Sequence, residues 1–156
     1  MTRPPVPIRW TSPSAAATRD LGSRLGALAE PGDVLALVGP LGAGKTELAR
    51  GIARGLEVEE PVTSPTFVLV AEHAGRHTLF HVDCYRLVGA EDALAAGILD
   101  DRAADGVTVI EWAERLGSAL PAARLEIVID GAGEEPRSLA LRATDARHAR
   151  LLAAVS

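Results

Sequence analysis

Apolar positions along the chain change spacing several times, and each change marks a different element. Val6 to Trp10 is a short extended stretch broken by prolines. Leu21, Leu25 and Leu28 recur at helical spacing behind Ser12-Pro13-Ser14, which predicts a helix running through about Leu28. After a Pro31-Gly32-Asp33 turn, Val34 to Val38 is apolar without interruption, the signature of a strand buried on both faces, as in parallel sheets. A glycine-rich loop from Gly39 to Gly44 leads into a second helix, Lys45 to Gly55, with Leu48, Ile52 and Leu56 inward. Val62 to Thr66 reads as a loop, because Pro65 drives Ser64 out of the helical region. Phe67 to Glu72 and His77 to Val82 read as two strands of a hairpin turning through Ala74-Gly75-Arg76. Ala90 to Ala96 predicts a short helix and Val107 to Ile110 another buried strand. Arg124 to Ile129 and Ser138 to Leu141 are two further strands, and Asp145 to Val155 a final amphipathic helix. Strands interleaved with helices predict one three-layer α/β domain over residues 1–156, with a mixed, mainly parallel sheet containing one hairpin.

Composition narrows this picture. Hydrophobic residues make up 47% of the 156 and aromatics only 3%, so the core must be built from Ala, Leu, Val and Ile. No apolar run is long enough to span a membrane, and no apolar signal core follows the first residues. Cys84 is the single cysteine, which excludes an internal disulfide, fits a reducing compartment and points to the cytoplasm. A net charge of −5 provides no global positive field, so stand-alone DNA or RNA binding is not expected. Of the 16 basic residues only Lys45 is lysine, and the chain has no Asn or Gln. A site that keeps Lys under such a bias toward Arg needs a compact ammonium with three donors.

Lys45 falls inside Gly39-Pro40-Leu41-Gly42-Ala43-Gly44-Lys45-Thr46, which matches G-x-x-x-x-G-K-[ST], the P-loop pattern. The glycines let backbone N–H groups wrap a phosphate chain, and the start of the following helix adds a favourable dipole. Lys45 then reaches the β- and γ-phosphates of a nucleotide, and the Thr46 hydroxyl joins the shell of a Mg²⁺ ion. The motif lies between a buried strand and an amphipathic helix, the context that separates it from an ordinary glycine-rich turn. The expectation is a P-loop NTPase-like domain. A GTPase is set aside, since the guanine-reading Asn-Lys-x-Asp motif is impossible without Asn.

A Mg²⁺-associated carboxylate is expected after a hydrophobic strand, and two positions qualify. Val107-Thr108-Val109-Ile110 leads into Glu111, and Leu79-Phe80-His81-Val82 leads into Asp83. Either would open onto the crevice at strand C-terminal ends, where α/β sheets bind ligands. Thr66 lies in the loop position that other P-loop proteins use to sense the γ-phosphate, although Thr is also ordinary in turns. Trp112, beside Glu111, reads first as a packing residue. His77, His81 and Asp83 could share one strand face as a metal site, but a solvated face is the ordinary reading. Cys84 has no activating base in sequence and reads as buried packing. Arg142, Arg147 and Arg150 read as a solvated helix face.

At Gly39–Thr46, Ser64-Pro65-Thr66, His81-Val82-Asp83-Cys84-Tyr85-Arg86-Leu87 and Glu111-Trp112, the chain resembles the TsaE (YjeE) family. These are small bacterial ATPases required for threonylcarbamoyladenosine modification of tRNA. The resemblance implies that Leu41, Gly42, Ala43, Gly44, Lys45, Thr46 and Glu47 contact ATP, with Trp112 near the site. It implies Thr46 and Glu111 at Mg²⁺, Asp83 and Thr66 in hydrolysis alongside Glu111, and an adenine contact somewhere within Thr11–Thr18. It also implies a TsaD–TsaB heterodimer as partner, with tRNA reached only indirectly through that complex. Two positions depart from the family pattern: Pro40 replaces an Asp and removes one N–H, and Glu47 replaces a second Thr. Glu47 pointing inward would oppose phosphate; pointing outward at a helix start, it would be mildly favourable. Two other readings of the P-loop remain, a small kinase acting on a metabolite and a nucleotide switch that does not hydrolyse.

Overall fold

Burial along the strands, continuous in the central ones and alternating toward one edge, sets the architecture. The computed structural model describes residues 6–63, 70–86 and 104–155. Its strands are β1 (Ile8–Ser12), β2 (Val34–Val38), β3 (Val70–His73), β4 (Thr78–Asp83), β5 (Gly106–Glu111), β6 (Leu125–Asp130) and β7 (Arg137–Ala143). They form one seven-stranded sheet in the order β1-β7-β6-β2-β5-β4-β3. The central strands β6, β2, β5 and β4 are parallel. β1 shares their direction, whereas β7 and β3 oppose it. The mixed, mainly parallel α/β sheet is therefore as expected. Beyond the β3–β4 hairpin, β6 and β7 form a second one, turning at Gly131 (φ 123°) and Gly133 (φ 60°).

Helix α1 (Ala15–Leu28) begins at the Ser14 N-cap, whose hydroxyl accepts from the Ala17 N–H at 3.0 Å. Helix α2 (Lys45–Gly55) carries Leu48, Ile52 and Leu56 inward, as its spacing predicts. Both pack on one sheet face against Leu35, Leu37, Val107, Val109, Leu125 and Ile127. The opposite face buries Val34, Ala36, Val82 and Ile110 under a 3-10 segment, Ala113–Ala119, through Ala113 and Leu116. That gives the three layers. No helix among the described residues is long and apolar enough to cross a membrane.

Several boundaries move. The first strand begins at Ile8 rather than Val6, because its register is set by pairing with β7. The C-terminal stretch is a short helix, α3 (Ala146–Ala149), that tightens into 3-10 turns over Arg150–Val155. Its arginines face solvent in part, Arg147 with 49% of its side chain exposed, but both are tied inward. Asp33 is fully buried and accepts from Arg150 at 2.5 and 2.6 Å and from Arg147 at 3.1 Å, which ties the C-terminus under α1. Arg142 is on β7 and pairs with Glu126 at 2.7 Å. The predicted Ala90–Ala96 helix and the beginning of the Phe67–Glu72 strand lie outside the described residues.

Leu28, the last residue of α1, is 39% exposed, whereas Leu21 and Leu25 of the same helical series are fully buried. The face of α1 that meets α2 carries Gly22 and Gly26, opposite Gly51 and Gly55. A Cβ on Gly22 would lie 2.5 Å from the Leu48 carbonyl oxygen, and one on Gly26 would overlap that of Ile52. The helices thus meet backbone to backbone. Gly26→Ala isolates this contact. Helix propensity alone favours Ala by about 1 kcal/mol, but overpacking at a backbone contact costs about 1–3 kcal/mol or more. We expect net destabilisation, read as a lower urea midpoint; a raised midpoint would show that the helices can separate without penalty.

Candidate functional site

The loop between β2 and α2 sits at the C-terminal ends of the parallel strands, where α/β sheets open onto a ligand crevice. Gly44 caps α2 in the left-handed region at φ 110°, a conformation that glycine adopts without strain. Lys45 folds along the loop, donating from Nζ to the carbonyls of Gly39 at 2.6 Å and Pro40 at 2.8 Å. Its ammonium also lies 4.0 Å from the centre of the Trp112 ring, a cation–π arrangement. Burial lowers the Lys45 pKa, and the nearby charges of Glu111, Glu114 and Asp83 partly oppose this.

Glu111 and Asp83 end the adjacent parallel strands β5 and β4 in register with one another. They do not have the same environment. Glu111 is 2% exposed; Thr46 Oγ1 donates to its Oε1 at 2.9 Å and its Oε2 lies 2.5 Å from His81 Nε2. Burial pushes the Glu111 pKa up, but the His81 hydrogen bond and charge, the Thr46 hydroxyl and Lys45 together bring it below the ordinary value. Asp83 goes the other way. Burial raises its pKa with a contribution from Glu111, outweighing the hydrogen bond donated by the Tyr85 N–H at 2.9 Å. One carboxylate is thus kept ionised while its neighbour holds a proton more readily, the usual preparation for separate chemical roles.

Trp112 follows Glu111 with φ 57° and ψ 41°, the left-handed region that a bulky side chain rarely occupies. This conformation ends β5 abruptly and turns the indole over Lys45, against Tyr85 at 5.0 Å between ring centres. Trp112 also packs on the smaller hydrophobic cluster, as sequence alone suggests.

Two cavities meet over the loop. One of about 420 Å³ is lined by Leu41, Lys45, Thr46, Asp83, Glu111 and Trp112. The other, about 240 Å³, is lined by Ser14, Thr18, Ala43, Glu134, Glu135 and Arg137. Gly42, Gly44 and Glu47 border both. Glu47 lies at the junction, its carboxylate held by Arg19 of α1 at 2.5 Å and by Arg50 at 2.7 Å. Arg137 donates to the carbonyls of Ala43 at 3.0 Å and Gly42 at 3.3 Å, clamping the loop to β7. Arg19 and Arg137 were not visible as site residues in the sequence, since both are far from the motif along the chain.

Thr46 and Glu111 bring two hard oxygens together beside the loop, a donor pair that suits a hard divalent cation whose remaining ligands are phosphate and water. The histidine alternative does not assemble: no group of three His, Cys, Asp or Glu side chains among the described residues could hold a metal. His81 is turned to Glu111, and His73 to Glu60 at 2.5 Å. Thr66 lies outside the described residues.

Comparison with known proteins adds an independent line. The family model described as threonylcarbamoyl adenosine biosynthesis protein TsaE matches residues 12–139. A curated tRNA threonylcarbamoyladenosine biosynthesis protein TsaE of Treponema pallidum is 46% identical over 114 residues, covering 73% of this chain and 84% of that protein. The Bacillus subtilis protein of the same description is 37% identical over 145 residues, 92% of this chain and 90% of that one. The crystal structure of Bacillus subtilis YdiB superposes with a TM-score of 0.78 at 32% identity, covering 97% and 95% of the two chains.

Cys84 provides a test of the packing around the site. It is fully buried, and burial, helped by the charges of Asp83 and Glu114, pushes its thiol pKa up to about 12. Since the thiolate is the reactive form, iodoacetamide should leave the native protein unlabelled at neutral pH while labelling urea-unfolded protein to completion. Labelling of the native state at the unfolded rate would mean that the layer beneath Glu111 and Trp112 opens freely.

Proposed function

The chain belongs to the TsaE family of threonylcarbamoyladenosine biosynthesis proteins, and from that premise we propose that it is a cytoplasmic ATPase which binds and hydrolyses Mg²⁺·ATP as an accessory to tRNA modification. The observation that carries this reading is the junction at the start of α2, where the chain's only lysine, the Thr46 hydroxyl and the ionised Glu111 carboxylate converge beside a glycine-rich loop.

The two joined cavities suit the two ends of a nucleoside triphosphate. The smaller one, bordered by Ser14, Thr18 and Arg137, takes the nucleoside. Its wall from the start of α1 agrees with an adenine contact within Thr11–Thr18. The larger one takes the phosphates along the loop backbone from Leu41 through Ala43 to Gly44, with Lys45 moving from the loop carbonyls to the γ-phosphate. Thr46 and Glu111 would hold Mg²⁺, which when bound would supply positive charge to the phosphate oxygens. Asp83, with its raised pKa, accepts a proton from the water that attacks the γ-phosphate, leaving ADP and inorganic phosphate. Thr66 is proposed to sense the γ-phosphate.

Glu47 need not repel the ligand. Its charge is balanced by Arg19 and Arg50, and the Arg19 contact draws the carboxylate toward α1. The partner in this reading is the TsaD–TsaB heterodimer, with tRNA contacted through that complex. A net charge of −5 fits a protein that leaves nucleic-acid contact to others.

ATP hydrolysis by the purified protein, alone and with the TsaD–TsaB pair, tests this reading. We expect slow turnover that rises with the pair. Lys45→Ala should weaken ATP binding by about 10–100-fold, the loss expected for a charge-assisted phosphate contact. Glu111→Ala should abolish turnover with a smaller effect on ATP binding. A folded Lys45→Ala protein that hydrolyses ATP at the wild-type rate would overturn the phosphate-loop reading. Turnover indifferent to the pair would overturn the partner assignment, and tight binding without turnover in the full complex would favour a nucleotide switch.

A further inference from the structure

His81 is fully buried on β4, on the same sheet face as Glu111, and it belongs to no step of the proposed reaction. Its Nε2 lies 2.5 Å from Glu111 Oε2, while its Nδ1 is buried with no hydrogen-bond partner among the described residues. The contact fixes the ring's role. A carboxylate oxygen accepts, so the imidazole is the donor at this contact. The proton therefore sits on Nε2 and is donated to Glu111. Thr46 approaches the other carboxylate oxygen, so the Glu111 carboxylate is held from both sides in one orientation.

The backbone makes this donor rigid. His81 pairs with Val109 in the parallel β4–β5 ladder, two residues before Glu111 on the neighbouring strand. The imidazole thus leans along the sheet onto the carboxylate from a strand that is itself paired on both sides. An apolar side chain here would remove the His81 donor from Glu111 Oε2, and the carboxylate would lose one of the contacts that orient it.

We propose that His81 is a positioning residue: its Nε2–H donor orients Glu111 so that the opposite carboxylate oxygen, beside Thr46, is presented to a divalent cation accompanying the nucleotide. This rests on the reading of Glu111 as a Mg²⁺ residue, and it adds a histidine that itself touches neither nucleotide nor metal. Partners of this kind to metal-held carboxylates typically change metal affinity by about 10–100-fold when lost.

The test separates metal binding from nucleotide binding. ATP affinity is measured by calorimetry with EDTA and again with saturating Mg²⁺, and Mn²⁺ binding to the protein–ATP complex is followed by electron paramagnetic resonance. His81→Gln can set an amide N–H close to the position of Nε2–H, whereas His81→Asn is too short to do so. We expect wild type and H81Q to gain affinity with Mg²⁺. H81N should lose about 10–100-fold of the metal-dependent part while its ATP affinity in EDTA stays as in wild type. An H81N protein with the full metal-dependent gain would overturn the proposal and leave the ATPase reading intact. If H81N does not fold, H81Q decides, since loss of the gain in folded H81Q overturns it equally. A wild-type protein whose ATP affinity does not respond to Mg²⁺ would instead remove the premise, a failure visible before any variant is made.

Discussion

The backbone contact between α1 and α2 is the constraint on which the site depends. Helices separated by ordinary side chains lie about 8–10 Å apart. The seam formed by Gly22 and Gly26 against Gly51 and Gly55 draws these two closer than any Cβ would permit. Because α2 starts at the phosphate loop, this proximity fixes how far the start of α1 stands from the loop. Ser14 and Thr18 become a wall of the smaller cavity, and Arg19 comes within reach of Glu47. The turn before α1 is fixed too, with Ser12 Oγ and Thr18 Oγ1 paired at 2.7 Å and the Ser12 hydroxyl donating to Ser14 O. Arg137 holds the loop from the other side. The loop is therefore clamped between a helix seam and a strand, and neither clamp belongs to the motif that names it.

Charge at the site is arranged by strand register rather than by sequence proximity. Glu111 and Asp83 are 28 residues apart in number yet end neighbouring strands opposite one another. Two carboxylates in such proximity do not ionise equally. His81 and Thr46 supply donors to Glu111, whereas among the described residues the Tyr85 N–H is the donor to Asp83. The inequality allows one group to remain an anion for a cation while the other exchanges a proton. Lys45, stacked on Trp112 and held by two carbonyls, adds a positive charge without neutralising either carboxylate by direct contact.

Much of this was legible in the sequence, for identifiable reasons. The apolar run Val34–Val38 and the spacing of Leu48, Ile52 and Leu56 are local signals, and β2 and α2 lie where they predict. The motif's chemistry and the two strand-end carboxylates are local as well. What escaped depends on contacts across the chain. Gly22 and Gly26 read as ordinary helix positions, and their importance appears only when the opposing helix brings its own glycines. Arg147 and Arg150 resemble a solvated face until Asp33, more than 100 residues earlier, is found buried beneath them. The 3-10 segment after Trp112 has no periodic signal, because a left-handed Trp redirects the chain there.

The two departures from the family pattern bear on the same clamp. Pro40 removes an N–H at the loop's start, yet its carbonyl still accepts from Lys45, so the lysine is anchored without the missing donor. Glu47 introduces a negative charge at the junction of the cavities, in the first turn of α2, where the helix dipole favours an anion. Without a partner it would also oppose phosphate. Arg19 and Arg50 change that balance by engaging one carboxylate oxygen each, so the local charge is no longer negative. Arg19 can reach Glu47 because the glycine seam brings α1 close enough. One of the two cations that balance Glu47 is thus supplied by the contact between the first two helices.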